Sequence, residues 1–327
     1  MSFRIRRILV AIRDERHTPR VQLRKAAALA RANGARVEFF HAINEPDALD
    51  ALRRGSAAGH PMSAIMTSLT ERSQKRLERL ATLDDFRGLA VTCSATWDFP
   101  PHEAVIRRAL AAESDLVIAA AQPHALGGRL LLANTDWELI RNCPCPVLLV
   151  KSTRAYRKPA VIAAIDPFHA HAKPAGLDRR ILEAGDVFAR KLGGALHAFH
   201  AYMPLTIVAP APAGQSLAVA LPPEAEEAHG AQVARAFDGI ASKAGIPPRR
   251  RHLRMGTVAG ELASVIKSTG AGVVVMGAIS RSGLRRLFIG STAETILDKV
   301  DTDLLIIKPS DFKTRVARRT SVAWLKG

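Results

Sequence analysis

The residues best placed to do chemistry form a glycine- and serine-rich segment in the second half of the chain. An apolar run ends there at Gly277, and Gly290, Ser291 and Thr292 directly precede a segment with a helical pattern. Glycine lets the backbone approach a ligand closely, and Ser or Thr caps helix starts. Because the first N–H groups of a helix are unpaired and lie at its positive end, this spacing predicts a phosphate-binding site. Three arginines add positive charge to the segment: Arg281, Arg285 and Arg286.

A carboxylate accompanies this segment at the end of another predicted strand. Asp166 directly follows the run 161–165, which reads VIAAI. In an open α/β sheet, ligands bind outside the carboxyl ends of the strands, where the strand order reverses. Asp166 there is suited to accept hydrogen bonds from the base or ribose of a nucleotide. Spacing alone leaves a plain turn after residue 277 as an equal alternative.

The elements that position these residues belong to an internal repeat of about 155 residues. The run 8–12 recurs at 161–165, and LARANGARVEFFHA at 29–42 recurs as FARKLGGALHAFHA at 188–201. Gly34 and Gly193 fall where helix C-caps are expected. We therefore expect two related domains, at 1–153 and 154–310, followed by a basic tail at 311–327.

Each half alternates short β-branched runs with helical stretches, which predicts an α/β fold. The runs lack polar alternation, as in strands buried on both faces of a parallel sheet. We expect two repeated doubly wound domains, each with a five-stranded parallel sheet and right-handed crossovers. The predicted strands are about 7–12, 36–42, 90–96, 115–121 and 146–151, then 160–165, 195–201, 249–254, 272–277 and 303–308.

Composition limits the environment and the partners. The formal net charge is +17, which attracts anions, but no nucleic-acid-binding signature is present and specific nucleic-acid binding is not predicted. The uncharged stretch 201–223 is interrupted by prolines, so we expect a loop rather than a membrane span. Three cysteines suit a reduced cytoplasm. Cys143 and Cys145 lack redox or zinc spacing and are interpreted as small apolar fillers.

The segment V-M-G-x-x-S-x9-G-S-T resembles the nucleotide motif of the universal stress protein family. Asp166 after the first strand, Phe-His-Ala at 199–201 and LLIIKP at 304–309 resemble the same family, and the likeness covers nearly the whole chain. The resemblance implies flavodoxin-like (adenine-nucleotide alpha-hydrolase-like) sheets with strand order 3-2-1-4-5. It also implies a cytoplasmic stress-response protein that binds ATP or AMP without catalysis, paired as a homodimer or an intramolecular pseudo-dimer.

Carried onto this chain, the resemblance divides the second-half site into two groups. The adenine and ribose end would comprise Asp166, Ala201, Met276 and Gly277. The phosphates would be held by Ser280, Gly290, Ser291 and Thr292. Ser280 stands where the family motif has its second glycine, and a serine held at positive φ would cost about 1 kcal/mol or more relative to glycine.

The first half has lost the equivalent residues. Arg13 replaces the first-strand aspartate, with Asp14 displaced by one position, and Ala121 and His124 stand in place of the two loop glycines. Residues 133–136 read ANTD in place of Gly-Ser-Thr, so Asp136 would set a negative charge against a phosphate. This half is therefore interpreted as a structural partner of the second.

Two other functions stay open. An adenylating enzyme of the nucleotidylyltransferase type is suggested by His169 and His171, although the glycine between the two histidines of that signature is absent. A scaffold that binds no nucleotide is suggested by the apolar stretch 205–221, which we interpret first as a lid on its own domain. His41 and His200 end equivalent strands in both halves and are interpreted as structural.

Overall fold

A computed structural model shows the architecture of the chain. It describes residues 3–43, 62–121, 123–126, 129–132, 134–168, 176–204, 206–210, 216–220, 222–278 and 300–319. The strands of the first half are β1 Arg7–Ala11, β2 Arg36–Ile43, β3 Val91–Trp97, β4 Leu116–Ala120, β5 Pro123–Leu126, β6 Arg129–Leu132 and β7 Val147–Val150. Those of the second are β8 Ala160–Ala164, β9 Ala195–Tyr202, β10 Thr206–Pro210, β11 Ser216–Ala220, β12 Arg251–Met255, β13 Val273–Gly277 and β14 Asp303–Ile307. The α-helices are α1 Arg20–Asn33, α2 Met62–Ala81, α3 Pro101–Ala111, α4 Asn134–Asn142, α5 Gly176–Lys191, α6 Pro223–Lys243 and α7 Val258–Thr269.

Ten of the strands form one continuous sheet, in the order β12-β9-β8-β13-β14-β7-β4-β1-β2-β3. Within each half the pairing is parallel and follows the order 3-2-1-4-5, which confirms the predicted doubly wound fold. The halves meet through their fifth strands, β14 and β7, which pair antiparallel. The two sheets are therefore not separate layers but a single sheet with an approximate two-fold relation.

The strands form a parallel sheet because apolar layers cover both of its faces. The β13 residues Val273, Val274 and Val275 are fully buried, and successive side chains enter opposite cores. The predicted helix ends are confirmed at Gly34 (φ 62°) and Gly193 (φ 67°). Both lie in the left-handed region, where glycine is favoured because it has no Cβ.

A buried polar network joins the halves where β14 begins. Asp303 is fully buried and accepts hydrogen bonds from Lys25 Nζ and from the Tyr156 hydroxyl, both at 2.6 Å. The N–H groups of Lys151 and Ser152 donate to its other oxygen at 2.9 Å. Burial lowers the pKa of Lys25, while the Asp303 charge acts in the opposite direction. Residues from both halves thus share one buried carboxylate.

Two antiparallel hairpins lie outside the main sheet and were not predicted. β10 pairs with β11 within the stretch 205–221, so the prediction of a loop there is wrong for the backbone of ten of its residues. β5 pairs with β6 in the first-half segment that precedes α4. Segments of four or five residues with little alternation carry a weak strand signal, and each needs its hairpin partner for stability. None of the described helices is both long enough and apolar enough to cross a membrane.

Candidate functional site

The second-half site forms where the strand order reverses beside β8. The chain leaves β8 toward β9 on one side, while β13 pairs with β8 on the other. The last registered pair of β8 and β9 is Ala164 with Phe199, so Asp166 and Ala201 follow two residues later on neighbouring strands. Gly277 ends the adjacent strand β13. The structure therefore brings Asp166, Ala201 and Gly277 to one edge of the sheet.

Local hydrogen bonds hold Asp166 in place at this edge. Its N–H donates to Asp178 Oδ1 at 3.1 Å, and its Oδ1 accepts from the N–H of Phe168 at 3.3 Å. Asp178 lies in the first turn of α5 and is only 3% exposed. The carboxylate of Asp166 is half-buried, so it lies at the mouth of the crevice rather than in the core.

Met276 and Gly277 have packing roles in addition to their place at the edge. Met276 is buried in the core cluster that also contains Ala201 and Phe199. A Cβ atom on Gly277 would lie 2.7 Å from Cδ2 of Leu177 and 3.3 Å from Cδ1 of Ile181. The packing of α5 against β13 therefore favours glycine at this position, because a Cβ would force the Leu177 side chain to shift.

The predicted phosphate-binding residues Ser280, Gly290, Ser291 and Thr292 lie outside the described residues, as do His169 and His171. Their assignment stays a prediction. Among the residues that the structure does describe, no group of three or more metal-ligating side chains is present.

The first half contains a cavity of about 430 Å³ at the equivalent place, outside the carboxyl ends of β1 and β4. One arginine and two aspartates line it: Arg13, Asp14 and Asp136. His102 also lines it, and burial lowers the pKa of this imidazole, which favours the neutral form. The apolar wall comprises Ile12, Ala42, Val105, Ala119 and Leu139, among others. The lining thus holds two carboxylates against one guanidinium, in a chain whose net charge is +17.

Two of the residues that line this first-half cavity form an ion pair. Arg13 Nη2 lies 3.1 Å from Asp136 Oδ1, and the aspartate side chain is only 2% exposed. Arg13 occupies the position of Asp166, and Asp136 lies in the first turn of α4. The strand register places Ala120, rather than the predicted Ala121, at the position of Gly277, because Ile8 pairs with Leu116 and Val161 with Val273. The sequence signal for this pair is the arginine that replaces the first-strand aspartate, together with the aspartate in the segment that replaces Gly-Ser-Thr.

The two strand-end histidines make the same hydrogen bond in both halves. His41 Nδ1 lies 2.9 Å from the carbonyl oxygen of Ile12, and His200 Nδ1 lies 3.0 Å from that of Ile165. A carbonyl only accepts, so both Nδ1 atoms carry a proton. Because the bond recurs in a half without the predicted nucleotide residues, it is a feature of the fold.

Comparison with known proteins places these features in a family. The model of the universal stress protein family matches residues 4–151 and 164–308. The chain is 25% identical to universal stress protein E of Escherichia coli K12 over 328 residues, covering 94% of this chain and 96% of that protein. Universal stress protein E of Photorhabdus laumondii is 25% identical over 307 residues, covering 93% and 96%.

Two solved structures share the fold over almost the full length. A functionally unknown protein from Pseudomonas aeruginosa PAO1 has a TM-score of 0.70 at 23% identity, covering 94% of each chain. A universal stress protein from Archaeoglobus fulgidus has a TM-score of 0.61 at 13% identity, covering 92% of this chain and 98% of that one. With family matches in both of its halves, the chain belongs to the universal stress protein family, as a tandem of two such domains.

Proposed function

We propose that this protein is a non-catalytic regulator of the stress response, which binds ATP or AMP in its second half and changes conformation or partner with occupancy. The observation that carries the proposal is the meeting of Asp166 and Gly277 at the carboxyl ends of adjacent parallel strands, where the strand order reverses. Ligands of doubly wound sheets bind at this position. The free thiols suit a cytoplasmic protein.

The roles follow from this placement and from the family motif. Asp166 and Ala201 would contact the base and ribose, with Met276 and Gly277 forming the floor. Ser280, Gly290, Ser291 and Thr292 would donate to the phosphates at the start of the helix that follows.

The first half supports the assignment of the nucleotide to the second. A phosphate at the start of α4 would approach Asp136, which is buried and already pairs with Arg13. Charge repulsion and the loss of this ion pair both oppose nucleotide binding there. The tandem would thus contain one nucleotide site and one half that serves as its fixed partner.

The test begins with mass spectrometry of small molecules released from the purified protein, followed by calorimetry with ATP and with AMP. Asp166→Ala removes a charged acceptor worth about 1.5–3 kcal/mol, so Kd should rise about ten- to hundred-fold. Gly290→Asp should weaken binding by setting a carboxylate against the phosphate. Asp14→Ala is the matched control, since Asp14 lies at the same edge of the first half, and it should leave Kd unchanged. Unchanged affinity in both second-half variants would remove this site.

The β10–β11 hairpin favours a second function, a scaffold that needs no nucleotide. The hairpin follows β9, the strand that contains Ala201, and its sequence is uncharged, which is typical of a surface that binds a partner. This alternative gains support if no nucleotide is released or bound while partners are retained after deletion of 205–221. The adenylating-enzyme alternative requires release of pyrophosphate from ATP, and loss of that release in His169→Ala. Absence of turnover in the intact protein would exclude it.

A further inference from the structure

A pair of thiols lies at the junction of α4 and β7, outside both candidate ligand sites. The sulfurs of Cys143 and Cys145 are 3.5 Å apart, and one thiol donates a hydrogen bond to the other. Cys143 is fully buried, whereas Cys145 is partly exposed. The third cysteine, Cys93, lies on β3 at the far edge of the first-half sheet.

The chain brings these sulfurs within reach of a covalent bond. Cys145 is two positions after Cys143, which limits their Cα distance to about 7 Å, and disulfides form up to that distance. Pro144 lies between them and fixes one backbone angle. A disulfide has an S–S length of about 2.05 Å, so the sulfurs must approach by only about 1.5 Å. Rotation about the side-chain bonds and a small backbone shift supply a movement of this size.

We propose that Cys143 and Cys145 form a reversible redox site, which a small disulfide such as glutathione disulfide converts to an intramolecular disulfide. The Cys145 thiolate attacks one sulfur of the oxidant, which releases one thiol and leaves a mixed disulfide on Cys145. Cys143 then loses its proton and attacks the Cys145 sulfur, which releases the second thiol. In total the two cysteines lose two hydrogens and one S–S bond forms, while the oxidant is reduced to two thiols.

The surroundings of the pair make its oxidation slow, because they disfavour the reactive thiolate. The hydrogen bond from Cys143 and burial raise the pKa of Cys145, and the Asp115 charge acts in the same direction. The ammonium group of Lys308 lies near Cys143, and burial lowers the pKa of this lysine to about 8. Since only the thiolate attacks, uncatalysed oxidation should be slow at neutral pH and require an oxidant that persists.

Closure of the disulfide would be transmitted to α4. The N–H of Cys143 donates to the carbonyl of Leu139 at 2.9 Å, which completes the last turn of the helix. Lys308, from the second half, donates to the carbonyl of Arg141 at 2.8 Å. Asp136, which pairs with Arg13, lies two turns earlier on the same helix. A shift at the cysteines therefore acts on the junction between the halves and on the ion pair of the first-half cavity.

The experiment equilibrates the intact protein in glutathione redox buffers, quenches it with acid and alkylates it after unfolding. Mass spectrometry should then find the peptide that contains Cys143 and Cys145 lighter by two hydrogens and without alkyl groups. Cys93 should carry an alkyl group. The controlling ratio is the concentration of glutathione disulfide divided by the square of the glutathione concentration. For a two-electron couple, the oxidised fraction should rise from about one tenth to nine tenths as this ratio increases about hundred-fold. Cys93→Ser should give the same midpoint. Cys143→Ser and Cys145→Ser should give only mixed disulfides.

Hydrogen exchange of residues 134–142 provides the second measurement. It should change on oxidation of the wild-type protein and not of Cys143→Ser. The proposal is overturned if both thiols of the wild-type chain stay alkylated in fully oxidising buffer. It is also overturned if the disulfide forms only after the chain is unfolded in urea. Both refuting results come from the wild-type protein, so they do not depend on the folding of any variant.

Discussion

The buried carboxylate of Asp303 offers the sharpest test of how the two halves are held together. Asp303→Asn keeps the shape of the side chain and an oxygen that accepts from the N–H groups of Lys151 and Ser152. It removes the negative charge that faces Lys25 Nζ at 2.6 Å, where the lysine side chain is only 1% exposed. The variant therefore leaves an ammonium group buried without its counter-charge.

The expected loss of stability is large for a change of one atom. Breaking a buried ion pair from one side costs about 3–5 kcal/mol, because the remaining charge stays desolvated. At about 2 °C per kcal/mol, the low end for a long chain, Tm should fall by about 6–10 °C. Calorimetry and urea unfolding at neutral pH measure the loss.

Asp115→Asn is the matched control. Asp115 precedes β4 and accepts from the N–H groups of Arg6 and Arg7 at 2.8 and 2.9 Å, but it is not fully buried. Its replacement should cost less than about 1 kcal/mol. The double variant Lys25→Met with Asp303→Asn should be more stable than Asp303→Asn alone, since no charge stays buried. Equal losses in the two single asparagine variants would refute the reasoning.

Three further predictions concern single sites. Lys308 has a pKa of about 8 in the folded chain against an ordinary 10.5. Between these two pH values the unfolded chain binds a proton that the folded chain lacks. The free energy of unfolding of the wild type, relative to that of Lys308→Met, should therefore rise from pH 8 to 10.5 by on the order of 3 kcal/mol. Urea midpoints at several pH values measure this difference, and a pH-independent difference would contradict the prediction. Gly277→Val should lower the free energy of unfolding by about 1–3 kcal/mol, because the new side chain overpacks α5. Ala120→Val, at the equivalent first-half position that faces the cavity, should lower it less in the same unfolding assay. Gly34→Ala should lower the free energy of unfolding by about 1 kcal/mol through its φ of 62° alone, since no atom lies within 4 Å of the new Cβ. A loss above about 3 kcal/mol would indicate a clash that the structure does not show.

The sheet was predictable because burial on both faces leaves an unambiguous sequence pattern. Runs such as Val273–Gly277 have no polar alternation, and the repeat doubles the evidence for each strand. The antiparallel contact of β7 with β14 was not predictable, because a buried edge strand and a buried central strand have the same composition. Leu149 and Leu304, which pair across it, are indistinguishable in type from residues inside either half.

The candidate site was only partly predictable. Asp166, Ala201 and Gly277 come together because parallel strands end at one edge, which the repeat already indicates. Packing roles depend on which helix covers which strand, so the close approach of Leu177 to Gly277 was not predictable from the sequence. Likewise, two cysteines one residue apart lack any familiar redox spacing, and only coordinates show their sulfurs 3.5 Å apart.

The two halves are equivalent in fold but not in charge at the same edge of the sheet. The position after the first strand is Asp166 in one half and Arg13 in the other, and Arg13 pairs within its own domain with a helix-start aspartate. Because the Arg13 and Asp136 charges already neutralise each other, an anion that enters the cavity gains little electrostatic stabilisation from Arg13. At the same edge of the second half, the Asp166 carboxylate accepts from the N–H of Phe168, and the Asp166 N–H donates to the carboxylate of Asp178. Nucleotide binding in the second half would therefore act through Asp303 and Lys308 on a partner whose own cavity is lined by an internal ion pair.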